Sequence, residues 1–369
     1  MLNSTDVFVI GGGPAGLAMA IAAQQRGLRV MVADGVQPPI DKTCGEGLMP
    51  DGLGALERLG LRVPLELAYP FRGIRFLSRH LATAALFPNA QCGLAVRRTV
   101  LHRVMTERAE QVGAELLWGK AVTGIATHGV HVGKNFIRAG WIVGADGANS
   151  RVRRWAGLEA SYRPRLRYAF RRHYRVMPWT DHMEVHWGER CQGYATAVSG
   201  EQICVALASH DPKMRLQDGL KDLPWLSARL KKAEVVTTER GAVTGNRRLK
   251  RVWRGDVALI GDASGTVDAI TGEGLGLAFS QAVALAECIE TGDLTPYQEI
   301  HDGLTLRPRL MARLMLTLDG RPGLQHRTLQ VFKNRPEVFR RLLALHVGVL
   351  PPQQLVWDGL TLGWGLITV

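Results

Sequence analysis

Apolar positions along the chain follow three rhythms. An unbroken run from Val7 to Ile10, opened by Asp6, leads into a glycine-rich turn. An alanine-rich stretch ending near Arg26-Gly27 follows it. That order predicts a short buried strand, a tight turn and a helix. A second apolar run, Leu28 to Ala33, predicts another buried strand. Between Ser161 and Val235 the pattern changes: apolar and polar residues alternate in Leu166–Val176, His182–Trp187 and Ile203–Ser209, as half-buried antiparallel strands do. After Pro296 the period becomes helical, with Leu310, Met311, Leu314, Met315 and Leu316 on one stripe, and a further helix is expected after Pro336. The whole predicts an α/β chain whose first sheet is assembled from separated segments, with an antiparallel sheet in the middle and a helical C-terminus.

Composition narrows this reading. A chain of 369 residues with 46% hydrophobic content suits two closely packed domains, or one large α/β unit with an inserted sheet. No apolar stretch of membrane-spanning length is free of charge or of Gly and Pro breaks, so no transmembrane helix is expected. The segment Val7–Ala23 lacks the basic leader and small-residue cleavage site of a signal peptide. Five cysteines, Cys44, Cys92, Cys191, Cys204 and Cys288, are odd in number and lie far apart without metal-ligand spacing. Reduced thiols in a cytoplasmic protein are therefore expected, with no metal centre. Lys and Arg outnumber Asp and Glu by 46 to 33, for a net charge of +13, and Arg is dense from Arg151 to Arg175 and from Arg240 to Arg254. Such a surface suits nucleic acid, anionic lipid or a phosphorylated cofactor, unless it reflects genome composition alone. The basic segments carry no nucleic-acid motif and no regularly spaced aromatics, so no nucleic-acid partner is expected.

The turn after the first strand reads Gly11-Gly12-Gly13-Pro14-Ala15-Gly16. Gly11 permits the tight turn, Gly13 lets the backbone approach a pyrophosphate, and Gly16 lets the helix pack close to the strand. The phosphate charge would rest on the helix N-terminus, where free N–H groups and the helix dipole favour an anion. Asp34, 23 positions after Gly11, stands where this unit places an acid for ribose hydroxyls. The unit is a dinucleotide-binding fingerprint and by itself does not separate FAD from NAD.

Three distant segments make that separation. Gly144-Ala145-Asp146-Gly147, continuing through Arg153, resembles the DG motif of the para-hydroxybenzoate hydroxylase superfamily, which also contains geranylgeranyl reductases and flavin-dependent halogenases. Val257 to Ala263 resembles its GD motif, whose Asp, here Asp262, bonds the ribityl chain of FAD in that superfamily. Thr271-Gly272-Glu273-Gly274-Leu275-Gly276 then opens a helix whose dipole would stabilise an anionic reduced flavin. The helix beginning at Arg98 and running to Gln111 stands where the superfamily has an FAD-contacting Arg, with Arg97 as the adjacent competitor. The resemblance implies FAD as cofactor and NAD(P)H as a transient co-substrate, since there is one dinucleotide fingerprint. The implied FAD contacts are Gly11, Gly13, Pro14, Ala15, Gly16, Asp34, Cys44, Gly45, Arg98, Asp146, Gly261, Asp262, Gly272, Gly274 and Leu275. The implied architecture is a discontinuous Rossmann-like FAD-binding domain (1–70, 95–160 and 240–295), an antiparallel β-sheet substrate domain (71–94 and 161–239) and a helical C-terminal region (296–369).

The chemistry is less closely specified. Cys44-Gly45-Glu46-Gly47-Leu48 resembles a segment near the flavin in archaeal geranylgeranyl reductases, which implies reduction of isoprenoid double bonds. Against this, Gly193-Tyr194-Ala195-Thr196-Ala197-Val198 lacks the Trp and Pro that reductases and halogenases usually carry over the flavin. No lysine stands out in the sequence as a halogenase relay. Arg171-Arg172-His173-Tyr174-Arg175 and Val185-His186-Trp187 look most like flavoprotein hydroxylases found beside type III polyketide synthases, which oxidise lipophilic phenols in secondary metabolism. The leading expectation is thus an FAD-dependent monooxygenase using NAD(P)H and O₂ on a lipophilic aromatic; the reductase is the alternative, and a halogenase a distant third. Catalytic candidates are His173, Tyr194 and Cys44, with Tyr174 and His186 on the same expected sheet; His or Tyr can exchange a phenolic proton near neutral pH. The apolar tail Leu355–Ile367 is expected to be a lid, a core element or a peripheral membrane contact.

Overall fold

The computed structural model describes residues 4–159, 165–351 and 353. The expected tail at 355–367 lies outside them.

The strand Ser4–Ile10 is central to the first sheet and runs parallel to Val30–Asp34 on one side and Asn135–Gly144 on the other. Glu115–Trp118 extends the sheet beyond Val30–Asp34, and Val257–Leu259 extends it beyond Asn135–Gly144, both in parallel. A parallel sheet is covered on both faces, which is why Val7, Phe8 and Val9 form an apolar run with no polar alternation. The helix Pro14–Gln24 packs beside Gly274–Glu290, and its Ala18, Ala20, Ala22 and Ala23 are wholly buried; small side chains let the two axes approach closely. All of these parallel strands end toward the same edge, where an open α/β sheet binds its ligand.

The second sheet runs in the order Glu234–Val235, Arg167–Arg175, Gln202–Ser209, Cys191–Ser199, Met183–Trp187, Gly73–Leu77, Ala82–Leu86. It is antiparallel except where Met183–Trp187 meets Gly73–Leu77 in parallel. Arg240–Thr244 also pairs with Arg167–Arg175, so this strand, grouped by sequence with the 240–295 segment, is hydrogen-bonded into the second sheet. A small third sheet, Gly47–Leu48, Gly93–Val96 and Ala68–Phe71, carries the Cys44–Leu48 segment.

Three helices follow, Tyr297–Leu318, Pro322–Asn334 and Pro336–His346. The last two start on proline, whose missing N–H costs nothing in the first turn. Phe332 and Phe339 stack at 4.6 Å and 12° between them, and Phe339 reaches Phe76 of the second sheet at 5.5 Å. The helices therefore close the open face of that sheet, sharing one apolar cluster with Phe76, Met183, Val185 and Trp187.

Candidate active site

The glycine turn at the end of the first strand has the geometry its residues require. Gly11 sits at φ +112°, and a Cβ there would run into the backbone of Ala145; a Cβ on Gly16 would overlap Gly11 O. Gly13 has open space where its Cβ would be, beside Pro14 and Ala15 on the wall of a cavity of ≈ 560 Å³. Asp34 Oδ2 accepts from Gly12 N at 2.8 Å and Oδ1 from Val36 N at 2.9 Å, which fixes the carboxylate against the turn. His102, not singled out from the sequence, is fully buried and donates from Nε2 to Gly12 O at 2.9 Å.

The other two flavin-type segments converge on the same cavity. Ala145, Gly147 and Ala148 line it, whereas the Asp146 side chain turns to cap the helix Arg151–Trp155, accepting from Arg151 N at 2.6 Å and Val152 N at 3.2 Å. Gly261 (φ +57°) donates its N–H to Gln281 Oε1 at 2.8 Å, and Asp262 presents its carboxylate to the cavity. Asp262 is accessible from the cavity yet surrounded by protein, and this partial desolvation raises its pKa, opposed by Lys42 and Arg153. Arg153, fully buried, donates to Ala263 O at 3.1 Å and Ala148 O at 2.8 Å and so ties these two segments together. Gly272, Gly274 and Leu275 line the cavity at the start of the helix Gly274–Glu290. Lys42 also stands on the wall, so a lysine is present at the cavity after all.

The Cys44–Gly47 segment forms another part of the wall. Cys44 Sγ accepts from Glu46 N at 3.3 Å, and burial pushes the thiol pKa up, so it is a neutral S–H group. Glu46 adopts φ +63°, a strained backbone for a side chain of its size. Its buried carboxylate holds it there, accepting from Arg98 N at 2.9 Å and Arg171 Nη1 at 3.0 Å through Oε1, and from His173 Nε2 at 2.7 Å through Oε2. Arg171 is shared with Asp41 at 2.6 Å. Glu46, His173 and Cys204 bring ligand-type atoms within 4.8 Å of one another, and the Arg171 guanidinium supplies the cation at that place. Of the two adjacent arginines, Arg97 bonds Gln202 Oε1 at 3.0 Å, while Arg98 lines the cavity with its buried Nη1 unpartnered among the described residues.

Among the expected catalytic residues, Cys44 and Tyr194 share this cavity and His173 does not. His173 points to the same side of the sheet as Ala169, a cavity residue, but Glu46 covers it. Tyr174 lies on the opposite face with Leu216 and Leu226. His186 is likewise turned away, bonded to Glu184 at 3.0 Å, while its neighbours Val185 and Trp187 line the cavity. Tyr194 donates to Gln192 Oε1 at 2.9 Å or Ile270 O at 3.2 Å, and burial raises its pKa well above the ordinary phenol. Beyond Cys44 the cavity continues into an apolar lobe walled by Ile74, Phe76, Trp187, Met311, Phe332 and Leu342.

The donor set fits a dinucleotide flavin. An open cradle at Gly13, a buried guanidinium nitrogen on Arg98 with no hydrogen-bond partner among the described residues, and the Thr271 and Asp262 side chains meet around one space. Residues 4–185 match the family described as FAD binding domain. The chain is a flavin-dependent oxidoreductase. Its sequence resembles the superfamily of FAD-dependent oxidoreductases that includes para-hydroxybenzoate hydroxylase and the geranylgeranyl reductases, and the matched family model spans its FAD-binding part. It is 28% identical over 324 residues to a menaquinone reductase of Mycolicibacterium smegmatis, covering 80% of this chain and 79% of that one. It is 26% identical to digeranylgeranylglycerophospholipid reductase 1 of Methanothermobacter thermautotrophicus, covering 80% of each. Its fold matches that of PqsL, a probable FAD-dependent monooxygenase from Pseudomonas aeruginosa, with a TM-score of 0.68 at 18% identity, over 93% of this chain and 99% of that one. Among the described residues, no helix is long and apolar enough to cross a membrane.

Proposed function

We propose that the chain binds FAD and uses it to saturate a double bond in a long, lipophilic, isoprenoid-like substrate, with NAD(P)H as the reductant. The observation that carries this reading is the continuity of one cavity from the glycine turn, past the Cys44 thiol, into the apolar lobe. Gly13, Pro14 and Ala15 would receive the pyrophosphate, Asp34 the ribose, Asp262 the ribityl chain, and Arg98 with the Gly272–Leu275 turn the remaining polar edges. When bound, FAD supplies hydride transfer between NAD(P)H and the substrate. The chain's own residues supply the rest. Ile74, Phe76, Met311 and Phe332 exclude water and hold an apolar chain extended. Cys44 holds a proton at Sγ next to that chain, and its raised pKa keeps the proton in place at neutral pH. The two relatives described above, each matched over about four fifths of its length, are reductases, of menaquinone and of a digeranylgeranyl glycerophospholipid.

Hydroxylation of a lipophilic phenol is the second reading, and Tyr194 favours it. Its hydroxyl stands on the cavity wall within reach of a phenolic oxygen, and Trp187 and Phe76, 4.7 Å apart, offer a ring-sized apolar surface. Yet His173, Tyr174 and His186, the other groups on this sheet expected from the sequence to polarise a phenol, are not on the wall. The two readings separate on oxygen. Reduced, FAD-loaded protein is mixed anaerobically with geranylgeraniol or, under ¹⁸O₂, with a long-chain resorcinol. A saturated product formed without oxygen, lost in Cys44→Ala while the flavin absorbance persists, is the expected result. Label from ¹⁸O₂ in the resorcinol product, with no anaerobic turnover, would replace reduction by hydroxylation.

A further inference from the structure

Of the cations in the arginine-dense segment from Arg240 to Arg254, Arg247 alone lines the cavity, beside Ala242, Val243, Thr244 and Gly245 of the same segment. The segment folds against the helix Tyr297–Leu318 and forms a second cleft, of ≈ 1150 Å³. Eight cations line that cleft, Arg247, Arg248, Lys250, Arg251, Arg254, Arg309, Arg313 and Arg321, with Glu159 as the single acid on its wall. Arg247 is paired with Glu159 at 2.5 Å, and Arg248 reaches Asp302 at 4.0 Å. The other six have no carboxylate within ion-pair distance among the described residues. Arg309 is half-buried there, and burial together with the facing Arg248 makes its charge harder to hold. Like charges gathered in one concavity repel each other, and a bound polyanion removes that cost while accepting several charge-assisted hydrogen bonds.

The cleft adjoins the cavity across a shared wall. Arg247 and Thr266 belong to the walls of both, and they face each other in the two-stranded pairing of Arg247–Arg248 with Gly265–Thr266. We propose that this cleft is a binding site for the phosphate groups of a phosphorylated ligand whose remaining part reaches the cavity. This deepens the proposed function and rests on it for the second half only: phosphate binding itself requires no flavin chemistry. Two sources carry such phosphates, the diphosphate head of a prenyl substrate and the phosphates of NADPH.

The test uses the full-length, FAD-loaded protein and the double substitution Arg251→Glu with Arg313→Glu. Both residues are exposed, and neither lines the cavity, so the flavin-to-protein absorbance ratio should be unchanged. Inorganic pyrophosphate is titrated by calorimetry at low ionic strength, and KM is measured for geranylgeranyl diphosphate against geranylgeraniol and for NADPH against NADH. The expected result is at least tenfold weaker pyrophosphate binding in the double variant, with a matching rise in KM for one phosphorylated ligand and none for its partner compound lacking that phosphate. The ligand that responds identifies the source. Wild-type protein that does not bind pyrophosphate, or binds it as tightly as the variant does, overturns the proposal, as does lost pyrophosphate binding that leaves all four KM values unchanged. Colourless protein that still binds pyrophosphate would sink the flavin reading and leave the anion site standing.

Discussion

Glu46 is the residue whose removal should propagate furthest. Its carboxylate has no solvent exposure, and it compensates the buried Arg171 guanidinium, the His173 ring and the Arg98 backbone N–H at 2.7–3.0 Å. Glu46→Gln keeps the volume and one acceptor oxygen but removes the charge, leaving Arg171 with Asp41 alone. Breaking a buried pair by deleting one partner costs about 3–5 kcal/mol. Because Asp41, itself 18% exposed, stays in contact at 2.6 Å, the lower end, about 3 kcal/mol, is the expectation. In a chain of this size that corresponds to a fall in Tm of roughly 4 °C. Relaxation of the strained Glu46 backbone should also displace Cys44, lowering kcat more than flavin occupancy. Thermal unfolding followed by circular dichroism gives the first quantity, and a cycle with Arg171→Met gives the coupling. The double variant should be less destabilised than the sum of the singles by at least about 1 kcal/mol. Additivity of the two singles, with Tm within a degree of wild type for Glu46→Gln, would refute the network.

Asp262→Ala removes an acceptor open to the cavity, and an unmet buried hydroxyl costs about 1–3 kcal/mol, so FAD should be held about tenfold less tightly, as read by flavin release on dilution. Gly16→Ala should prevent folding or strip the flavin, since the new methyl would overlap Gly11 O; soluble yellow protein at wild-type yield would contradict the turn geometry. His301 is buried at 2.9 Å from Ser264 Oγ, and desolvation lowers its pKa from 6.5 to about 4. Between these values the unfolded chain binds the proton and the folded chain does not, so stability rises with pH through the window and is level above it. On acidification to pH 4 this group alone should withdraw about 3 kcal/mol, and His301→Gln should flatten that part of the stability profile measured by urea unfolding.

What the sequence disclosed and what it hid divide along a physical line. Local pattern sufficed wherever backbone geometry was the constraint. The run Val7–Ile10 falls inside Ser4–Ile10, the helix from Arg98 to Gln111 begins and ends where expected, and Gly11 and Gly16 of the turn have the close backbone contacts their spacing implies. Alternation also located the second sheet, with Arg167–Arg175 inside the expected Leu166–Val176. Alternation assigns two faces to a strand but does not say what covers each. In Met183–Trp187 the odd positions face the cavity, so His186 was on the wrong face from the outset. His173 was on the right face and is still sequestered, because Glu46, 127 positions earlier, folds over it. No local rhythm encodes that contact.

The same separation explains the charge. Read along the chain, Arg240 to Arg254 is a basic run with no motif, equally consistent with genome composition or a polyanion. Folded, its residues meet Arg309 and Arg313 from a helix more than fifty positions away, and Arg321 just beyond that helix, and surround one concave space adjoining the cavity. A composition bias would scatter cations over the surface, each free to find its own acid or to face water. Six cations in one cleft without a carboxylate partner among the described residues instead impose a standing repulsion on the folded state. That arrangement is retained at lower cost if an anion occupies it during the working cycle. A chain whose cavity takes the apolar part of its ligand and whose adjoining cleft takes phosphate would discriminate by charge and by length together.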